Sequence, residues 1–225
     1  MNVMMKDFSP ARRNALTKLA LSIGGLLLVS PGHAAIERGR EYMPVKAPQS
    51  PESAGKIEVL EFFSYTCPHC FRLEGVIEPW LKRLPADVVF RRVPVSFQES
   101  SLPLAQAYYV LDSMGRLDTL HLKIFDAFQQ KGIRLDRERT LLEWVGTQGV
   151  DAKRFAETYQ SFGLRAKLAR ARQLAQAFEI DSVPSLIVGG KYLTSTELAG
   201  NKEAVPKVVD ELVALVRKET RERKS

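Results

Sequence analysis

Cys67 and Cys70, in Cys67-Pro68-His69-Cys70, are the only thiols in 225 residues. A CxxC pair can ligate a metal, anchor a haem, join an iron-sulfur cluster or cycle between dithiol and disulfide, and the rest of the chain must decide. Structural zinc takes four ligands, usually from two such pairs. Beyond position 34 the histidines are His69 and His121, and His69 sits within the CxxC turn, poorly placed to ligate the same ion. Haem attachment needs His directly after the second cysteine, where Phe71 stands. An iron-sulfur cluster would lack two thiolates. The dithiol/disulfide reading remains, with no metal and no cofactor expected beyond the Cys67-Cys70 disulfide itself. Stabilisation by a cross-link grows with the loop it closes, so a loop this short points to reactivity rather than stapling.

The elements around the pair say which sulfur does what. Ile57 to Ser64 is a β-prone run behind Ser53, Gly55 and several prolines, and reads as a central strand. From Phe71 to Leu84, Leu73, Val76, Ile77, Trp80, Leu81 and Leu84 recur at helical intervals. Pro79 should kink that helix and Pro85 should stop it. The cysteines therefore fall where a strand turns into a helix. There, free N-H groups and the positive end of the helix dipole favour a thiolate on the first cysteine. Cys67 is the expected nucleophile and Cys70, one turn inward, the resolving thiol. Pro68-His69 fill the turn, and the His69 imidazole can favour the thiolate by a hydrogen bond or by its charge.

A second strand is expected from Val88 to Phe97, then no strand between about Leu102 and Ile180. Five helical stretches (102–114, 117–130, 136–147, 151–162 and 164–178) are separated by Gly115, Gly132, Gly149 and Gly163. Ser185–Val188 and Lys191–Thr194 then flank Gly189-Gly190, a hairpin signal, and a closing helix runs from about Glu203 to Lys218, with Pro206 in its first turn. His121 reads as an ordinary helix residue, and Trp80 and Trp144 as core or near-core aromatics. The pattern predicts an α/β fold: a small core in two parts, 35–100 and 180–225, interrupted by an all-helical insertion at 101–179. Two lobes imply a groove between them.

The run Glu61-Phe62-Phe63-Ser64-Tyr65-Thr66-Cys67-Pro68-His69-Cys70, followed far downstream by Val183-Pro184, resembles the DsbA family of thioredoxin-fold periplasmic oxidants. The likeness spans residues 35–225, from Gly39-Arg40-Glu41-Tyr42 to the closing hairpin and helix. It implies a thioredoxin-like core with an inserted helical domain, and it implies that Pro184 is cis and packs beside the active-site cysteines. It further implies that Val183 offers backbone groups to a substrate peptide. Strand alternation alone leaves Glu61 facing either solvent or the interior; the resemblance implies an acid beneath the cysteines that helps move protons. Arg92 matches a position where relatives carry lysine near that acid, which implies pairing with Glu61. Pro94 departs from the pattern, since some relatives have histidine there.

The same resemblance implies the direction of reaction: the disulfide is given to reduced exported polypeptides, and a DsbB-like quinone-linked membrane protein restores it. An isomerase or reductase, or a peptide-binding chaperone that uses the groove without chemistry, are the alternatives. An isomerase of this kind usually carries a separate dimerisation domain, for which there are no spare residues, so a monomer is expected.

The first 34 residues fit this setting. Lys6, Arg12, Arg13 and Lys18 precede an apolar run from Leu19 to Val29, and Gly32-His33-Ala34 offers small residues for cleavage, the layout of a secretory signal peptide. About 11 apolar residues are too few to span a bilayer core, which takes roughly 20. Adjacent Arg12 and Arg13 fit a plain basic segment better than a twin-arginine signal. The expectation is export to the periplasm with cleavage after Ala34. From position 35 onward the chain holds 29 basic and 25 acidic residues, four fewer and one fewer than the whole sequence; a net +4 makes nucleic acid an unsuited partner.

Overall fold

The computed structural model describes residues 36–223, so the expected signal segment and its cleavage site lie outside the described residues. A five-stranded mixed sheet has the order β1-β5-β4-β2-β3: β1 (Met43–Pro44), β2 (Ile57–Phe63), β3 (Val88–Pro94), β4 (Ser185–Val188) and β5 (Tyr192–Ser195). Strands β2 and β3 are parallel, joined across α1 (Pro68–Leu81), while β4 lies antiparallel to β2. Between β3 and β4 run α2 (Leu102–Ser113), α3 (Leu117–Phe125), α4 (Glu138–Thr147), α5 (Ala152–Tyr159) and α6 (Phe162–Ala177). Helix α7 (Val205–Glu222) closes the chain.

Each face of the sheet is covered, which decides how its alternating residues are used. Val59, Leu186 and Val188 meet Leu73, Ile77 and Trp80 of α1 and Val209, Leu212 and Val216 of α7. On the opposite face Leu60, Phe62 and Ile187 meet Ala171 and Leu174 of α6 together with Phe178. A strand buried on both sides reads as a continuous apolar run, and Glu58 and Glu61 are the two polar interruptions in it. A third cluster, built on α2 to α6, takes in Phe63 of β2 together with Tyr65 and Cys70. The active-site segment is thus part of the packing between the sheet and the helices inserted after β3.

Several boundaries differ from expectation for local reasons. Strand β3 stops at Pro94, short of Phe97. Helix α1 begins at Pro68, earlier than the apolar spacing marks, because Cys67 caps it and proline suits the first helical position, where an N-H has no intrahelical acceptor. It runs through Pro79, so that proline removes one backbone hydrogen bond without ending the helix, which stops at Leu81, ahead of Pro85. The second inserted stretch is α-helical to Phe125 and then widens into a π-type turn, Asp126–Gln130, where the Lys131 N-H reaches Asp126 O at 3.0 Å. Gly189 and Gly190 have φ of 59° and 67°, as a tight hairpin with two left-handed residues requires. A Cβ on Gly190 would lie 1.9 Å from Gln49 O, so that glycine also admits a close approach of the preceding chain.

Candidate active site

The strand-to-helix junction places Cys67 as the N-cap of α1 and Cys70 within its first turn. Cys70 is fully buried and Cys67 half-buried, both as free thiols, so Cys67 is the sulfur an approaching partner can reach. Its Sγ donates to Val183 O at 3.3 Å, and the Val183-Pro184 peptide bond is cis. Two segments more than a hundred residues apart therefore meet at one sulfur, and Pro68 and His69 sit exposed beside it.

The environment separates the two thiols. The Cys67 pKa is lowered to about 6, first by the Cys70 thiol, which hydrogen-bonds to it, and then, against the cost of burial, by the backbone N-H groups of Cys70 and His69 and by the charge of His69. Burial drives the Cys70 thiol far above its ordinary value, and the neighbouring Cys67 sulfur adds to the effect. One member of the pair is thus a thiolate near neutrality while the other keeps its proton. His69 acts through its charge, one of the two ways expected, and through its backbone N-H, while its ring Nδ1 lies 3.1 Å from an Arg72 guanidinium nitrogen.

Beneath the cysteines lies a buried charged cluster. Glu61 points inward, 0% exposed, because the face it shares with Val59 is covered by α1. The β2–β3 register sets it directly beside Arg92, and Arg92 Nε approaches Glu61 Oε2 at 3.3 Å. The expected opposite-charge pairing forms, and Arg92 shares itself with two further acids. The aligned hydrogen bonds of Arg92 go to Glu74 Oε1 at 3.1 Å, Glu74 Oε2 at 2.6 Å and Glu78 Oε1 at 2.8 Å, and neither Glu61 oxygen receives one. Glu74 and Glu78 lie four and eight residues beyond Cys70, on one side of α1, and they take the guanidinium. Burial, followed by the charge of Glu74, raises the Glu61 pKa well above the carboxylate range, with Arg92 opposing. At Glu74 burial is outweighed by His121 and Arg92, and the carboxyl is held low.

Three residues here escaped the sequence reading. His121 is no ordinary helix residue: it is 3% exposed, with Nδ1 2.7 Å from Tyr65 Oη and Nε2 2.9 Å from Glu74 Oε1. Glu74 carried a signal that could have been used, an acid next to Leu73 and one turn after Cys70 on the buried side of the helix. Gln129, in the π-type turn, donates its amide to Tyr65 O at 2.8 Å and to Cys67 O at 3.1 Å, and nothing local marks it. A groove of about 540 Å³ runs between the segment after β3 and α6, lined in part by Pro94, Phe97, Leu168 and Ile180, and it includes neither cysteine. Among the described residues no group of His, Cys, Asp and Glu is arranged to hold a metal ion.

A mixed sheet flanked by helices, with a CxxC at the start of α1 and a cis-proline against its first sulfur, defines a thioredoxin-like thiol-disulfide oxidoreductase. The family model for a DSBA-like thioredoxin domain matches residues 58–206. The thiol:disulfide interchange protein DsbA of Bordetella pertussis is 42% identical over 200 residues, 88% of this chain and 95% of that protein. Its counterpart in Pseudomonas syringae pv. tomato is 37% identical over 202 residues, 89% of this chain and 94% of that protein. The crystal structure of Pseudomonas aeruginosa DsbA superposes with a TM-score of 0.78 at 34% identity, over 84% of this chain and 97% of that one. That of reduced DsbA1 from Neisseria meningitidis gives 0.75 at 33%, over 84% and 99%. The chain belongs to the DsbA family.

Proposed function

We propose that this protein is a periplasmic oxidant that gives its Cys67-Cys70 disulfide to reduced, newly exported polypeptides. The observation that carries the reading is the placement of Cys67, half-buried at the start of α1 and against Val183 O, beside a fully buried Cys70, surroundings that lower the Cys67 pKa to about 6 and raise that of Cys70. A substrate thiolate attacks Cys67 Sγ, forming the mixed disulfide and breaking the bond to Cys70. The departing Cys70 sulfur takes a proton, and Glu61, a fully buried acid whose pKa burial raises well above the carboxylate range, is the group proposed to supply it. A second substrate thiolate then attacks the substrate sulfur and releases Cys67, which leaves readily because a low-pKa thiolate is a good leaving group. The substrate ends as a disulfide and the protein as a dithiol. Val183 O, 3.3 Å from Cys67 Sγ, is a backbone acceptor available to a substrate chain at that sulfur, with Pro184 beside it.

Re-oxidation falls to a DsbB-like quinone-linked membrane protein, and the protein works as a monomer with no nucleic acid partner. The core in two parts and the helical insertion act together, since the dithiol lies where they pack. Export removes residues 1–34, and mass spectrometry of the exported protein should find Ala35 at its start. Equilibration with glutathione mixtures tests the direction of reaction. A potential above about −200 mV is expected, beyond the glutaredoxin range, and one near thioredoxin's value of about −270 mV would overturn the oxidant reading.

A further inference from the structure

The cysteines are not held by the thioredoxin-like core alone. We propose that His121 is a positioning residue for the exchange reaction: from α3 it spans the CxxC segment, bonded to Tyr65 ahead of Cys67 and to Glu74 one turn beyond Cys70. The inference rests on the oxidant reading and adds a residue to its machinery.

The hydrogen bonds and the burial of the ring together select one arrangement. Glu74 already accepts two bonds from the Arg92 guanidinium and is a carboxylate, so His121 Nε2 must donate to it. With the ring neutral, His121 Nδ1 carries no proton and accepts from the Tyr65 hydroxyl. The imidazole is neutral, in line with the lowering of its pKa by burial, and both ring nitrogens are engaged. Phe63 and Phe125 enclose the ring edge-to-face, each at 5.3 Å between centroids. A fully satisfied polar chain in such surroundings is rigid.

The two anchors bracket the groups that make the Cys67 thiolate. Those groups are the Cys70 thiol and the backbone N-H groups of Cys70 and His69, and all lie between Tyr65 and Glu74. N-H groups in the first turn have no intrahelical acceptors to hold their direction. With the loop tied at Tyr65 and the helix tied at Glu74, they stay aimed at the sulfur. Without His121 the loop and helix are free to separate, and the sulfur loses part of its stabilisation.

The test compares His121→Leu, His121→Gln and Leu120→Ala. Leucine cuts both bonds; glutamine keeps a donor and an acceptor; Leu120 is buried on the same helix outside the chain. Thiolate absorbance against pH and equilibration with glutathione are measured for each, beside denaturant unfolding. Expected for His121→Leu are a higher Cys67 titration midpoint and a shift of about fivefold toward retaining the disulfide, about 20 mV in a two-electron couple. Glutamine should recover part of both shifts, and Leu120→Ala should lose stability without moving either. If His121→Leu and Leu120→Ala move the titration equally, or His121→Leu does not move it, His121 is structural only. Should His121→Leu fail to fold, Tyr65→Phe cuts one bond with the ring still packed, and an unmoved Cys67 titration there overturns the proposal. A wild-type protein that is itself a poor oxidant overturns the functional reading instead.

Discussion

Glu61 Oε2 and Arg92 Nε stand 3.3 Å apart without an aligned hydrogen bond, so the acid has an ion-pair partner and no hydrogen-bond donor. Arg92 is engaged by Glu74 and Glu78, and burial raises the Glu61 pKa well above the carboxylate range. A group whose folded pKa is raised contributes stability in full below its unfolded value, about 4.3 for glutamate, and loses it as pH rises toward the folded value. Glu61→Gln carries no such loss. Its stability relative to wild type should climb as pH rises from about 4, while the disulfide is donated more slowly for want of a proton donor at Cys70. Denaturant unfolding across pH and single-turnover oxidation of a reduced peptide measure the two effects. A stability difference that stays flat with pH would mean that Glu61 is ionised as readily folded as unfolded.

Cys70→Ser should accumulate mixed disulfides through Cys67, because partner disulfides are still attacked by the half-buried thiolate while the resolving thiol is gone. Non-reducing gels of exported protein, followed by peptide mapping, read the adduct. Adducts in Cys67→Ser mapping to Cys70 would reverse the nucleophile assignment, and the complete burial of Cys70 argues against that outcome.

How much of this could be read from the sequence follows the range of the interactions. The CxxC, the Gly189-Gly190 hairpin and the helical stretches are local, set by turn chemistry and by a period visible within a dozen residues. Glu61 stayed open because alternation says which residues share a face and is silent on whether that face is covered; here α1 covers it. Strand β1, two residues long, offers no period, and its pairing with β5 is visible only in the fold. His121 and Gln129 have partners 47 to 64 residues away, so a helix-period reading of their own stretch had nothing to assign. The resemblance carried Val183-Pro184 to the cysteines, a placement that local pattern could not supply.

Gln129 makes a separate prediction. One amide nitrogen serves two carbonyls on either side of Thr66, and Gln129→Leu removes this donor from Tyr65 O, while Cys67 O keeps the Phe71 N-H at 3.3 Å. The expected loss is about 0.5–1.5 kcal/mol, the net contribution of an ordinary hydrogen bond at this half-buried position, read by denaturant unfolding. Gln129→Glu should be worse than leucine at pH 7 and recover toward acid, where a protonated carboxyl can donate again. Equal stability of the two variants at all pH values would show that the amide is not serving these carbonyls.

The two thiols also make the relative stability of the redox forms depend on pH in a way the disulfide form cannot imitate. Cys67, lowered to about 6 when folded against about 8.5 unfolded, stabilises the reduced protein fully above about 8.5 and loses that contribution as pH falls through about 6. Cys70 is raised, so its contribution is whole below about 8.5 and declines above it, where the unfolded thiol ionises and the folded one does not. The reduced form should therefore gain on the oxidised form from about pH 6 to about 8.5 and then fall back. The rise spans about 3 kcal/mol on the pKa difference alone, and about 2 kcal/mol once solvent screening of the half-exposed sulfur is allowed for. Closing the four-residue loop favours the oxidised form by about 2 kcal/mol on the chain-entropy estimate. The two effects are of one size, which places the crossover on the rising limb rather than far to the acid side. Denaturant unfolding of both forms at about pH 5, 7, 8.5 and 9.5 traces the curve, and thiolate absorbance measures Cys67 independently. A difference that does not change between about pH 5 and 8.5 would contradict a Cys67 pKa near 6, and one that keeps rising past about 9 would contradict a buried, proton-retaining Cys70.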